Sequence, residues 1–518
     1  MAELQLPHVA EAGAAGARRR GRRGAGGFKQ LPWRTLRNRY GPIEVIDAEG
    51  LERIHDTSMR VLETQGLEFL SSRALEILKR SGADVDDATG RVRFDRGLIA
   101  ECLARAPSSF TLHARNPARN VIIGGDHLVF CSVSSAPNCS DLDGGRRPGN
   151  FADYNNFLRL IQSLNVIHLA AGYPVEPIDL PPPTRHLDAY RAVATLTDRI
   201  WSPSAIGAMR VEDGIAMNCL ARGITRDELR DKPGLLTVVN TNSPRRVDGA
   251  MLDGLMAMAE AGQAVIVTPF TLSGAMAPAT LAGALALQNA EALGVIAFTQ
   301  MVQPGAPVLY GGYTSNVDMK SGAPAFGTPE YARAAMAGGQ LARRYRLPYR
   351  SSNACAANAV DAQAAYESEM SVWGAVMGGA NLLKHGAGWM EGGLVASFEK
   401  LIVDAEILQM MAEFLDPLAV NEDTLALDAI GGVPPGGHFF GEAHTLARYE
   451  TAFYQPILSD WRNFETWREA GALDTAQRAN GVWKRLLNEY QAPPLDPAIG
   501  ESLNAFVAKR KEQGGVES

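Results

Sequence analysis

From about residue 160 the chain keeps a rhythm that few folds accept: short apolar runs alternate with helix-length segments at intervals of about 30 to 45 residues. The strand candidates are VIHLAAGYP (166–174), IWSPSAIG (200–207), LLTVVNTNS (235–243), AVIVTPFTL (264–272), PVLYGGYTS (307–315), PYRSSNA (348–354) and NLLKHGAG (381–388). Between them lie helical stretches such as VDGAMLDGLMAMAEAGQ and TPEYARAAMAGGQLARRYR, the second with Pro329 placed for a helix start. Strands alternating with helices form βαβ units on a parallel sheet. Seven units predict an α/β fold, a (β/α)8 TIM barrel, whose eighth strand is unassigned or contributed by a flanking segment. An open doubly wound sheet is the alternative, but no G-x-G-x-x-G follows the first strand.

The rest of the chain divides around this region. Residues 1–26 read as a disordered basic tail, 27–155 as an N-terminal α+β cap, 156–450 as the barrel and 451–518 as a C-terminal helical extension. In the cap, 47–66 has helical spacing, with Leu51, Ile54, Met59, Val61 and Leu62 close to one face, and 86–95 reads as a hairpin around Thr89 and Gly90. The formal charge is −7 overall, yet residues 1–40 hold nine Lys/Arg against Glu3 and Glu11. With no nucleic-acid module downstream, ARRRGRRGAGG reads as a solvated tail or an arm on a neighbouring subunit of a homo-oligomer. No apolar h-region follows the arginines and no run of about 18 uninterrupted apolar residues occurs. Five scattered cysteines without a C-x-x-C suit reduced thiols. Together these features predict a cytoplasmic protein with neither a nucleic-acid nor a membrane partner.

Each strand candidate ends in polar or aromatic residues, among them Tyr173, Asn240, Thr268, Tyr310, Tyr313, Asn353, His385 and Trp389. In a barrel those ends share one mouth, where activity resides. Turn chemistry accounts for Ser202 and Asn242, but poorly for the large rings. Several chemistries lack their residues. There is no H-E-x-x-H, no G-x-S-x-G elbow and no Walker A run. GHFFGEAHT (437–445) offers His438, Glu442 and His444, at a spacing that matches no standard metal site. What remains is a mouth rich in rings with a carboxylate at hand, in LLKHGAGWMEGGL (382–394). Such faces attract cations, quaternary ammonium groups above all.

Five blocks, GRRGAGGFKQLPWRTLRNRY, SGAPAFGTPE, VDAQAAYES, HGAGWMEGGLVASFEKLIVDAEI and GHFFGEAHTLARYETAFYQP, resemble the trimethylamine methyltransferase family, in order, from about residue 16 to beyond 460. The resemblance implies a (β/α)8 barrel that moves a methyl group from a methylated amine to Co(I) of a corrinoid (cobalamin) carried by a partner protein. It also implies that founding members hold pyrrolysine shortly before the D-A-Q block. Here that segment is SSNACAANAVDAQ (351–363), with Ala354 or Cys355 in the pyrrolysine region. Relatives without pyrrolysine act, by the same resemblance, on quaternary amines such as glycine betaine, carnitine or proline betaine.

The chemistry fits that departure. A quaternary ammonium leaves as a neutral amine, so its demethylation calls for no metal, general acid or pyrrolysine. Charge is partly neutralised in the transition state, which a dry aromatic pocket favours over water. The expected reaction is therefore methyl transfer from a quaternary amine, most plausibly glycine betaine, to a corrinoid protein. The alternatives are carnitine, proline betaine or trimethylamine as donor, or a non-catalytic betaine-binding protein. Trp389 and Glu391 are expected to position the methyl group, as cage wall and negative charge. Tyr310, Tyr313, Asn353, His385, His438 and Phe440 are expected to line the substrate site, with His385, Asn353, Tyr313 and His438 as carboxylate donors. Neighbouring strand residues point to opposite faces, so only one of Lys384 and His385 should line the mouth.

Overall fold

The computed structural model describes residues 28–170 and 172–516; the basic tail lies outside the described residues. All seven strand candidates form strands. An eighth, β1 (His127–Ser132), comes from the flanking segment. The others are β2 (Leu169–Ala170), β3 (Ile200–Trp201), β4 (Leu236–Thr241), β5 (Ala264–Ser273), β6 (Val308–Gly311), β7 (Tyr349–Ser352) and β8 (Leu382–Ala387). They make one large parallel sheet in an α/β fold. β8 pairs with β1, β1 with β2, and β2 with β3. On the other side β4 pairs with β5, β5 with β6, β6 with β7 and β7 with β8. A parallel bridge joins Trp201 of β3 to Leu235, the residue before β4.

Because β1 belongs to this sheet, the expected boundary at 155 cuts through one sheet instead of separating two bodies. The run HLVFCS is buried from Leu128 to Ser132, as a parallel strand covered on both faces must be. What precedes it does form small antiparallel elements, with Asp84–Asp86 paired to Arg91–Arg93 and Ser109–Leu112 to Val121–Gly124.

Two apolar cores result. The larger lies between sheet and helices. The smaller joins Val129 and Cys131 of β1, Leu169, Ile200, Leu236, Ala264, Ile266, Leu309 and Leu382 to the hairpin residues Leu112, Val121 and Ile123. It therefore draws on seven of the eight strands, with that hairpin packed against them. Two residues further along the same strand faces stand Val238, Thr268 and Lys384, with Asn240 beyond. The shared face is thus apolar near the strand starts and polar near their ends.

Helix α1 (Leu281–Val302) is long and apolar enough to cross a membrane by length and composition, and 78% of its most apolar window is buried inside the protein. It carries one buried acid, Glu291, whose carboxylate accepts from Thr241 Oγ1 (2.5 Å), Ser243 Oγ (2.6 Å) and the Arg245 amide (2.7 Å). Those three hydrogen bonds fix the loop after β4. Helix α2 (Pro329–Arg344) begins as expected, with Pro329 in the first turn, and in α3 (Ala362–Met377) Asp361 caps the Gln363 and Ala364 amides. Helix α4 (Phe398–Phe414) is buried on nearly every side. The C-terminal extension is built into the body: α5 (Thr475–Asn488) lays Trp483 on Phe398 at 4.9 Å, and α6 (Pro497–Glu512) holds Asp213 through Arg510 at 2.7 Å.

Candidate active site

The C-terminal ends of the parallel strands surround a cavity of about 680 Å³. In α/β folds this is the end that binds ligands. Its lining includes Ser134, Asn240, Thr268, Phe270, Tyr313, Arg350, Lys384, His385 and Trp389. A second hollow, of about 850 Å³, lies at the strand starts beside Asp126, His127, Pro348 and Asn381, and contains none of the expected site residues.

The stretch 382–394 builds one wall. Lys384 and His385 both face the cavity, against the expectation that only one would. The reason is local: His385 has φ +54°, and the pairing of β8 with β1 shifts register between Leu383 and Ala387. This bulge breaks the alternation of sides, a device common beside active sites. His385 then stacks on Trp389, with ring centroids 5.3 Å apart and planes at 17°. Tyr313 meets Trp389 edge-on at 6.3 Å and His385 at 6.2 Å. Phe326 closes the group at 5.4 Å from Trp389 and 5.6 Å from Tyr313. Burial, with Arg350 and Lys384 nearby, pushes His385 well below the usual histidine range, so its ring is neutral and can face a cation.

The glycines serve the tryptophan. Gly393 has φ +99°, and a Cβ placed there would sit 2.7 Å from Trp389 Cζ2, so the backbone passes directly against the indole. Beneath the loop, Asp404 of α4 accepts from the Gly388 amide at 2.8 Å and pairs with the fully buried Lys400, whose ammonium also reaches Ser368 Oγ at 2.6 Å. The carbonyls of Cys355 and Ala357 accept the Gly392 and Glu391 amides. The segment 351–363 therefore braces the tryptophan loop. Ala354 and Cys355 are both buried and absent from the cavity lining, and burial pushes the Cys355 thiol up to about 12.

Several expected site residues lie elsewhere. Tyr310 points away from the cavity to α1, where its hydroxyl bonds Asn289 Oδ1 at 3.0 Å; this is a satisfied core tyrosine. Asn353 is buried behind the wall, donating to the Gly386 carbonyl at 3.0 Å. Glu391 is off the cavity lining and pairs with Arg146 at 3.0 Å, the arrangement of a loop-shaping ion pair. His438 and Phe440 are exposed, Phe440 at 81%, and neither joins the lining. Among the described residues no three His, Cys, Asp or Glu side chains gather as a metal site.

Arg350, on β7, is the residue that sequence reasoning passed over. It is 2% exposed, lines the cavity, and its Nε and Nη1 find no hydrogen-bond acceptor among the protein's groups. Its guanidinium lies 5.4 Å from the Tyr313 ring centroid. An ionised group buried without an acceptor costs roughly several kcal/mol, so it marks a place where another group binds. Ser134 Oγ, Thr268 Oγ1 and Tyr313 Oη, also on the lining, are likewise unsatisfied. A signal was available in the sequence: a charged residue inside YRSS, a buried strand of a parallel sheet, where charge is rare.

The family model for trimethylamine methyltransferase matches residues 12–515. The chain belongs to this family. It is 40% identical over 474 residues to the glycine betaine methyltransferase of Desulfitobacterium hafniense strain Y51, covering 91% of this chain and 98% of that one. It is 30% identical over 470 residues to trimethylamine methyltransferase MttB of D. hafniense strain DCB-2, covering 90% and 94%. The solved structure of the Methanosarcina barkeri monomethylamine methyltransferase aligns with 88% of this chain and 97% of that one, at 11% identity and a TM-score of 0.47. The family match and the two methyltransferases at 40% and 30% identity make this chain a methyltransferase.

Proposed function

We propose that this methyltransferase takes a methyl group from a quaternary amine, glycine betaine foremost, and delivers it to Co(I) of a corrinoid held by a partner protein. The observation that carries the reading is the ring cluster of Tyr313, His385 and Trp389 at the strand ends, in a chain 40% identical to a glycine betaine methyltransferase. Three rings converging on one cavity offer π-faces to an ammonium that donates no hydrogen bond. We also propose that the eight strands close as a (β/α)8 barrel. Supporting this, pairings run from β4 round to β3, the Trp201–Leu235 bridge spans the remaining gap, and seven strands share the inner apolar cluster.

When bound, the Co(I) corrin supplies the nucleophile. The chain's residues do the rest. Trp389, His385 and Tyr313 hold the ammonium with one methyl toward the open end, and the stiff loop beneath Trp389 keeps that aim, an orientation term that is worth several kcal/mol in favourable cases. Burial keeps water away, so the cation loses hydration before reaction and loses charge during it. Exposed Ile206 on the cavity lining gives an apolar edge suited to a flat macrocycle.

The test mixes the full-length protein with cob(I)alamin under anoxic conditions and follows loss of Co(I) absorbance with glycine betaine, carnitine, proline betaine and trimethylamine as donors. Loss with glycine betaine and not with trimethylamine is expected. If none of the four methylates cobalamin, and the cognate corrinoid protein does not restore transfer, the reading fails and a binding protein remains.

A further inference from the structure

The cavity carries a charge that its proposed ligand does not explain. Arg350 and Lys384 both line it, 2% and 6% exposed. Among its described lining residues the only acid is Glu176, which lies 3.6 Å from Arg185. A quaternary ammonium entering alone would meet two buried cations, in surroundings where charges interact far more strongly than in water. The aromatic faces that welcome an ammonium are therefore built beside groups that repel it. A ligand bearing its own anion resolves the conflict, because it pairs with the cations and keeps its ammonium on the rings.

Arg350 is shaped for that anion. Two of its donors, Nε and Nη1, on different edges of the guanidinium, are buried and unpaired, and a charged donor of this kind bonds a carboxylate oxygen strongly. The guanidinium lies over Tyr313, the ring that also meets Trp389 and His385 edge-on. The place for an anion and the place for an ammonium thus share one ring, which limits the ligand to a short connection between the two. Arg350 also sits deep, on the strand itself, so the ammonium end is left toward the opening.

We propose that Arg350 is the carboxylate anchor of this site, and that the enzyme accepts short zwitterionic betaines while rejecting amines that lack an acid group. This rests on the reading of the cavity as the methyl-donor site. It sets the chain apart from the trimethylamine enzymes with which it shares its family.

The test is a ligand panel read in two ways. Calorimetry measures binding of glycine betaine, choline and tetramethylammonium to the full-length protein, and methyl transfer to cob(I)alamin is followed with each. Choline keeps the ammonium and replaces the carboxylate by an alcohol, so it isolates the anchor. We expect glycine betaine to bind at least about thirtyfold more tightly than choline or tetramethylammonium. Arg350→Gln should raise the betaine Kd and KM by a similar factor, and Arg350→Lys should restore part of that loss. The ligand-free Tm should hold or rise in Arg350→Gln, because an unpaired buried charge is removed; a structural arginine would lower it. Equal binding or turnover of choline overturns the proposal, as does an unchanged betaine KM in folded Arg350→Gln. If Arg350→Gln does not fold, the wild-type panel still decides. Arg350-dependent betaine binding without any methyl transfer would keep the anchor and sink the methyl-transfer reading; transfer from choline and betaine alike would do the reverse.

Discussion

Two glycine-rich stretches of this chain hold the same kinds of side chain and are used in opposite ways. Residues 382–394 bring His385, Trp389 and Glu391 together, and residues 437–445 bring His438, Phe440 and Glu442. The first follows a strand of the sheet and is braced by α4, by the Lys400–Asp404 pair and by the carbonyls of Cys355 and Ala357. Its rings are driven inward to face a cavity whose polar atoms are unsatisfied. The second joins no strand, and its phenylalanines stand in solvent, Phe439 at 44% and Phe440 at 81%. The difference teaches that ring content says little until the backbone beneath it is known. A ring becomes a binding wall when the chain on both sides is fixed, and otherwise remains exposed surface.

The comparison is most sharply tested at Trp389. Trp389→Ala removes the stacked partner of His385 and the edge partner of Tyr313, and should lower kcat/KM for methyl transfer from glycine betaine by about thirtyfold or more. That factor corresponds to the roughly 2 kcal/mol of a desolvated cation–π contact. Trp389→Phe should recover most of it. Activity of Trp389→Ala within threefold of the wild type would mean that the first stretch is no more functional than the second.

A smaller effect is expected from pH. Burial and the nearby Arg350 bring Lys384 down to about 8, so it loses its charge as pH rises through that value. Of its neighbours, the Cys131 thiol is pushed up to about 12, Tyr313 lies well above its ordinary value and His385 is already neutral, so none changes between pH 7 and 9.5. Arg350 is drawn down by burial from a starting value far above this range, and Glu176, which burial pushes up from the carboxylate range, belongs to the acid side. Betaine affinity should therefore fall about five- to tenfold from pH 7 to 9.5, measured by calorimetry. The sign for folding is opposite. Lys384 titrates lower in the folded chain than in the unfolded one, so its charge destabilises the fold below about pH 8. That penalty fades as pH rises toward the unfolded value, and the ligand-free Tm gains over the range where affinity is lost. Affinity that is flat over this range would remove Lys384 from the site.

How much of this was legible from the residues depends on what each signal measures. The rhythm of apolar runs located seven strands because burial on both faces of a parallel sheet leaves a continuous mark. It left β1 in the cap because HLVFCS follows the apolar run VIIGG after a single residue, outside the 30- to 45-residue rhythm. Trp389, His385 and Tyr313 were singled out because rings at strand ends have no turn-forming reason to be there, and all three stand on the cavity lining. Tyr310 was singled out on the same ground and lies off the lining, because sequence does not say which side of β6 faces α1. Lys384 was set against His385 by an alternation rule that a single φ of +54° suspends. Arg350 was missed because an isolated arginine is ordinarily solvated, and only its lack of acceptors marks it.

Glu391 separates a wall residue from its neighbour two positions away. Its carboxylate meets Arg146, which is half exposed, and such pairs contribute about 0–1 kcal/mol. Glu391→Gln should change kcat/KM less than threefold and Tm little. A loss of tenfold or more would instead give the carboxylate the role of a charge opposite the ammonium, and would mean that the loop turns inward when substrate is bound.

The smallest effect is expected at Phe440, and it tests the second stretch directly. With 81% of the residue exposed, Phe440→Ser removes no core contact, and a surface change of this kind shifts stability by about half a kcal/mol at most. Transfer of methyl to free cobalamin should be unchanged, because the side chain is not part of the cavity lining. The informative result is a split between acceptors. If Phe440→Ser also leaves transfer to the cognate corrinoid protein untouched, the second stretch plays no part in the reaction. If transfer to free cobalamin drops as it does in Trp389→Ala, then 437–445 closes over the cavity during turnover, and the contrast between the two stretches belongs only to the substrate-free molecule.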